Sequence, residues 1–148
     1  GHFTGAPRRF ELKGIGRGVR VYDDYAHHPT EVRAALSAAR SVGAGNKVHV
    51  LFQPHLFSRT REFSQEFAAA LDLADTAMVL DIYPAREDPI PGVTSTLITE
   101  HLVNGRLVSA DEAVDAVAAV ASEGDVVLTV GAGDVTAYGP LIVEALGG

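Results

Sequence analysis

The chain contains no cysteine. It therefore has neither a disulfide framework nor a thiolate metal site, and a reducing cytoplasm is the compartment this composition suits. Positive charge is scarce as well: 12 Lys and Arg stand against 19 Asp and Glu, a formal net charge of −7. No basic stripe is available to displace counterions, so a nucleic acid polymer is not an expected partner. A single nucleotide needs only a few local donors and stays possible. Apolar runs are short, none approaching the roughly 20 residues of a membrane span, and no secretory leader pattern is read at the start. A membrane partner is not expected. The Walker pattern, with its lysine after glycine, is missing altogether. Gly131-Ala132-Gly133 follows the apolar run Val126–Val130, but the dinucleotide fingerprint needs glycine or alanine at position 136, where Thr136 stands. By itself the chain holds no phosphate-cradling loop adequate for ATP chemistry.

What remains is an ordinary globular composition. The 148 residues are 47% hydrophobic and include 15 glycines, enough for one domain spanning 1–148 with a sizeable core and many tight turns. Phe10 and Leu12 alternate with polar residues, Gly14–Gly18 supplies a turn, and Val19 and Val21 alternate again, which predicts a hairpin. Helices are predicted over Pro29–Val42, Thr60–Leu73, Thr94–Leu102, Ala110–Ser122 and from Asp134 to about Leu146. Between them Val48–Phe52, Thr76–Ile82, Leu107-Val108 and Asp125–Val130 read as strands, mostly of the buried parallel kind. Alternating strands and helices predict an α/β fold: a mostly parallel sheet with helices on both faces and an N-terminal antiparallel hairpin strand.

Three loops at the predicted strand ends carry the unusual residues: Asp23–His28, Gln53–Arg59 and Tyr83–Asp88. In a parallel sheet the carboxyl ends open on one side, so these loops can converge on one cleft. Asp23 and Asp24 have the chemistry to accept from ribose hydroxyls, or simply to cap the turn that follows. His27, His28 and His55 suit anion binding, carbonyl polarisation or proton transfer; His28, before Pro29, has an alternative as a buried, backbone-satisfied residue. Arg59 and Arg61 suit a carboxylate or phosphate, although Arg61 inside a helix reads more readily as a solvated face. His49 and His101 read as structural or solvated. A zinc site built from the histidines and Asp24 is disfavoured, because adjacent histidines on extended backbone point to opposite sides; no metal ligand is assigned.

Together, Asp23-Asp24-Tyr25-Ala26-His27-His28-Pro29-Thr30-Glu31, Phe52-Gln53-Pro54-His55 with Ser58-Arg59-Thr60-Arg61, Tyr83–Gly92, Gly131-Ala132-Gly133-Asp134 and the leading Gly5–Phe10 resemble the C-terminal domain of the Mur ligases of peptidoglycan synthesis. Within that family the likeness is greatest to members that join L-alanine to UDP-N-acetylmuramate. The resemblance implies a Rossmann-like third domain, whose junction precedes Arg8-Arg9, closing over a first domain that holds the UDP-sugar and a central domain that carries the phosphate loop and magnesium sites. It implies ATP and magnesium use by the full-length enzyme, none tightly bound here, and no catalytic set that is self-sufficient in this chain. Residue by residue, it implies that Arg9 contacts the ATP phosphates and that Asp24 faces the nucleotide at its ribose. Tyr25, His27, His55 and Arg59 would surround the amino-acid and muramoyl end. Leu56 stands where many members have arginine, which leaves anion recognition to Arg59 or Arg61. The rivals are the related ligase that adds a tripeptide to UDP-N-acetylmuramate, a stand-alone nucleotide-binding module, and a histidine-rich metallohydrolase.

Overall fold

A computed structural model describes residues 9–147. It opens with a hairpin, β1 (Glu11–Gly16) and β2 (Val19–Asp24). Only Arg17 and Gly18 connect the two strands, and both take positive φ, 50° and 74°; that is the tight turn whose twist matches paired strands. The chain continues through α1 (Pro29–Gly43), β3 (Val48–Phe52), α2 (Phe57–Leu71), β4 (Thr76–Val79), α3 (Thr96–Thr99), β5 (Gly105–Leu107), α4 (Ala110–Val120) and β6 (Val126–Val130). A 3-10 turn, Asp134–Ala137, then leads into α5 (Tyr138–Leu146). The six strands lie in the order β1-β2-β6-β3-β4-β5, β1 antiparallel to β2 and all other pairs parallel.

Side-chain alternation divides the core between the two faces. Val50, Phe52, Val126, Leu128 and Val130 pack with Leu36, Phe67, Leu71 and Ile98 beneath α1, α2 and α3. Leu51, Val127, Val19 and Val21 point the other way and pack with Val117, Ile142 and Leu146 of α4 and α5. β3 and β6 are buried along their whole length, the pattern of strands covered on both faces. No helix among the described residues is long and apolar enough to cross a membrane.

The strand expected over Thr76–Ile82 ends at Val79, the one expected at Leu107-Val108 spans Gly105–Leu107, and three expected helices differ. The helix predicted over Thr94–Leu102 shrinks to one turn, α3. The Thr94 hydroxyl lies 2.6 Å from that of Thr96 and accepts from the Thr96 amide at 3.2 Å, the local bonding by which threonine competes with helix. The helix predicted from Asp134 begins as a 3-10 turn and becomes α-helical at Tyr138. The helix predicted from Thr60 instead starts at Phe57, which draws Ser58 and Arg59 out of the expected loop into a first helical turn.

The topology sets where a ligand can sit. From β3 the chain moves outward to β4 and β5, whereas β6 returns to lie between β2 and β3. The switch point therefore falls between the carboxyl ends of β3 and β6, where open α/β sheets form their crevice. Backbone bonds stitch the rim there: Gln53 N–H donates to Val130 C=O at 3.0 Å, and Gly131 N–H to Asp24 C=O at 3.1 Å.

Candidate active site

The loops after β2, β3, β4 and β6 open on this single rim, and Arg9, Asp24, Tyr25, His27, His55 and Arg59 all gather on it. The segment Gly5–Arg8 lies outside the described residues. The site has two parts joined by Glu31.

The first part surrounds Asp24. One carboxylate oxygen accepts from Ala26 N–H at 2.9 Å, the other from Phe10 N–H at 2.8 Å, and Arg9 Nη1 stands 3.8 Å away. Asp24 thus closes the turn after β2 and also holds the first described residues against it. Burial raises its pKa; the two amides and Arg9 offset this only in part, and neighbouring Asp23 adds to it. Arg9, half exposed, also reaches Glu31 at 3.4 Å. These residues, Thr30 and three alanines of α1 line a cleft of about 350 Å³.

Asp23 belongs elsewhere. It is fully buried, accepting from the hydroxyls of Thr129 at 2.6 Å and Thr136 at 3.0 Å. It fastens β2 to β6 and to the turn after it and does not face a ribose. Extending β2 through Asp24 would have revealed this, because Asp23 then shares the inward parity of Val19 and Val21.

The second part is a row of rings. Tyr25 meets His27 edge-on at 5.2 Å between centroids, His27 meets His55 at 6.0 Å, and His55 stacks on Tyr83 at 5.6 Å with the planes 14° apart. Arg59 Nη1 lies 3.2 Å from His55 Nδ1. A guanidinium can only donate, so Nδ1 accepts and the proton of neutral His55 sits on Nε2. Burial lowers the His55 pKa, the positive charge of Arg59 and His27 lowers it further, and Glu87 opposes them. His55 is therefore a neutral imidazole that can donate from Nε2.

Glu31 bridges the two parts. Its carboxylate accepts from the amides of His27 at 3.1 Å and His28 at 3.3 Å, and lies 3.6 Å from His27 Nδ1. Burial would raise its pKa, but these contacts and Arg9 hold it low. His28 is exposed rather than buried and caps α1, closing a capping box with Glu31. Arg61 is exposed. His49 lies at the opposite end of the sheet, where Asp125 at 2.9 Å and Thr76 at 2.8 Å satisfy it, which bears out its structural reading. Among the described residues no three His, Asp or Glu are grouped to hold a metal ion.

Sequence reasoning gives no role to Glu31, Tyr83, Glu87 or Gln53. The Gly131-Ala132-Gly133 turn also acts differently from a phosphate cradle. A Cβ on Gly133 would lie 2.6 Å from both Gln53 Oε1 and Tyr83 Cγ, and one on Gly131 would lie 2.9 Å from Gln53 C=O. These glycines let the loop after β6 press against the loops after β3 and β4. The signal was the strand-end position of the motif, which suits close backbone approach as well as a phosphate.

A Rossmann-like sheet with imidazoles and guanidinium gathered at its carboxyl rim matches the Mur ligase, glutamate ligase domain family over residues 8–133. The chain belongs to that family. It is 95% identical over all 148 residues to UDP-N-acetylmuramate–L-alanine ligase of Paenarthrobacter aurescens (strain TC1), covering 32% of that protein. It is 58% identical over 156 aligned positions to the enzyme of the same name from Thermobifida fusca (strain YX), covering 98% of this chain and 33% of the relative. The crystal structure of UDP-N-acetylmuramate-alanine ligase from Thermotoga maritima superposes with a TM-score of 0.75 at 31% identity, over 95% of this chain and 30% of that one. A domain from a putative UDP-N-acetylmuramate:L-alanyl-gamma-D-glutamyl-meso-diaminopimelate ligase of Haemophilus ducreyi gives a TM-score of 0.71 at 26% identity, over 93% and 99% of the two chains. The chain spans about a third of the length of the curated relatives it matches.

Proposed function

We propose that the chain is the C-terminal domain of a cytoplasmic ligase that joins L-alanine to UDP-N-acetylmuramate with ATP. The observation that carries this reading is the convergence of His27, His55 and Arg59 on one rim, Arg59 Nη1 lying 3.2 Å from His55 Nδ1, next to the Arg9–Asp24 cleft. In the reaction, ATP phosphorylates the muramoyl carboxylate; the L-alanine amine then attacks the acyl phosphate and phosphate leaves. Arg59 is suited to hold the L-alanine carboxylate. The Nε2–H of His55, with His27 and Tyr25, is suited to donate toward the oxygen that gains charge at the muramoyl end. His55 does not serve as a base through Nδ1, which Arg59 already occupies. Arg9 would meet an ATP phosphate. Asp24 Oδ1 faces Arg9 as well as the Ala26 amide, whereas Oδ2 accepts from the Phe10 amide and keeps a second acceptor position, which a ribose hydroxyl would use. Magnesium and the phosphate-cradling loop would come from the rest of the longer protein, since the chain has no Walker pattern.

The tripeptide-adding ligase is the second reading. Identity of 95% to an alanine ligase, against 26% to the H. ducreyi domain, favours the first. Turnover of L-alanine against tripeptide by the full-length protein separates the two. For the site itself, Arg59→Ala in the full-length enzyme removes a charge-assisted contact and should raise the Michaelis constant for L-alanine by about 10- to 100-fold, with that for ATP changed much less. A larger effect on ATP would remove the assignment of Arg59.

A further inference from the structure

α2 begins without a cap of its own. Leu56, the residue that precedes it, has no side-chain hydrogen bond to the first turn and takes φ 76°, a left-handed value that branched residues avoid. The exposed amides at a helix start need an acceptor, and here it comes from a distant loop. Glu87 Oε1 accepts from the Ser58 amide at 3.0 Å, and Glu87 Oε2 accepts from the Ser58 hydroxyl at 2.5 Å. The same loop is fixed at its other end: Leu56 N–H donates to Tyr83 C=O at 2.9 Å and Tyr83 N–H to Pro54 C=O at 2.8 Å. The Tyr83 ring then lies flat on His55. The loops after β3 and β4 are thus clamped at two points; His55 lies within the first, between Pro54 and Leu56, and Arg59 directly follows the second at Ser58.

We propose that Glu87 is a positioning residue: its carboxylate caps α2 across the rim and so holds Arg59 and His55 in register for the amino-acid substrate. The proposal rests on the reading of Arg59 given above. Glu87 contacts Ser58 and not the guanidinium by any hydrogen bond seen among the described residues, so it acts through the backbone of the first turn. The Ser58 hydroxyl and amide hold its pKa low, which keeps the cap ionised throughout the neutral range. Arg59 follows Ser58 directly and reaches back one turn to His55. Slack in that turn is passed to both groups.

The test uses the full-length enzyme. Glu87→Ala should raise the Michaelis constant for L-alanine about tenfold, the scale of one lost charge-assisted cap, with a smaller fall in kcat through the loosened His55, while the constant for ATP stays within about threefold. Glu87→Gln keeps one acceptor for the Ser58 amide but loses the charge, and should fall between wild type and alanine. It also serves as the test if the alanine variant does not fold. Two readouts do not depend on turnover. Amide exchange at Ser58 should quicken in both variants, and the His55 imidazole should titrate at lower pH in Glu87→Gln, because a charge that favours its protonation is gone. Equal losses for both substrates, a fall in kcat alone, or unchanged exchange and titration would each overturn the proposal. If wild-type enzyme is inert with L-alanine, the substrate reading fails, and exchange at Ser58 still decides whether Glu87 positions the turn.

Discussion

Gly133→Ala adds one methyl group at the point where three loops meet, and its consequence follows from distances. Gly133 has φ −92°, outside the left-handed region, so a strained left-handed backbone does not account for the glycine. The new Cβ would lie 2.6 Å from Gln53 Oε1, 2.6 Å from Tyr83 Cγ and 2.8 Å from Tyr83 Cδ1, well inside contact. Neither neighbour retreats freely. Tyr83 is held by two backbone bonds and by its stack on His55, and Gln53 is buried in the crevice. Forcing a methyl group into such packing costs about 1–3 kcal/mol, which at this chain length lowers the melting temperature by roughly 2–4 °C per kcal/mol.

The useful comparison is Gly45→Ala. Gly45 has φ 97°, and no atom lies within 4 Å of where an added Cβ would stand, so alanine there meets left-handed strain of about 1 kcal/mol and no collision. Thermal unfolding of both variants, with the His55 ring protons followed by NMR, distinguishes the two effects. Both should melt below wild type, but only Gly133→Ala should shift the His55 signals, because only it pushes Tyr83 off that ring. If Gly133→Ala melts like wild type with the His55 signals unmoved, the close-packing account of the glycine turn is wrong.

Two further perturbations separate structural carboxylates from those at the site. Burial would raise the Asp125 pKa, but His49 and the Ser122 amide hold it low; both bond to the same oxygen, Oδ2, at 2.9 Å. A lowered folded pKa stabilises above the unfolded value and loses that contribution as pH falls through the folded value, so Asp125→Asn should flatten the acid limb of a melting-temperature profile below about pH 5. Asp125→Ala leaves the His49 ring and the Ser122 amide without their acceptor and should cost about 2–3 kcal/mol at neutral pH, against about 1 kcal/mol for asparagine, whose carbonyl can still accept both bonds. Denaturant titration reads both. Asp24 has the opposite sign: burial raises its folded pKa, so its contribution is largest below the unfolded value and declines as pH rises through the folded one. Asp24→Asn should remove that decline, yet cost about 1–3 kcal/mol at neutral pH, because an amide nitrogen then faces either the Phe10 or the Ala26 N–H. A pH profile identical to wild type would refute the burial argument.

These perturbations also show which parts of the site can be read along the chain. The strands of the core are legible because Val48–Phe52 and Val126–Val130 are apolar at every position, or nearly so, and only a strand covered on both faces uses such a run. The shared rim follows from alternation of strand and helix, and it places Asp24, His27, His55 and Arg59 together. Two things escape. Asp23 and Asp24 look equivalent as a pair, and only the parity of β2 sends one into the core and the other to the rim. The start of α2 is hidden because its cap, Glu87, lies 29 residues beyond Ser58, and local capping rules read three residues ahead. Helix ends are fixed by whichever acceptor reaches the free amides first in space. At a ligand rim that acceptor tends to come from another strand's loop, because several strand ends are crowded there. The residues hardest to find in the sequence are therefore those that lock the loops together, while the residues that touch ligand announce themselves by chemistry.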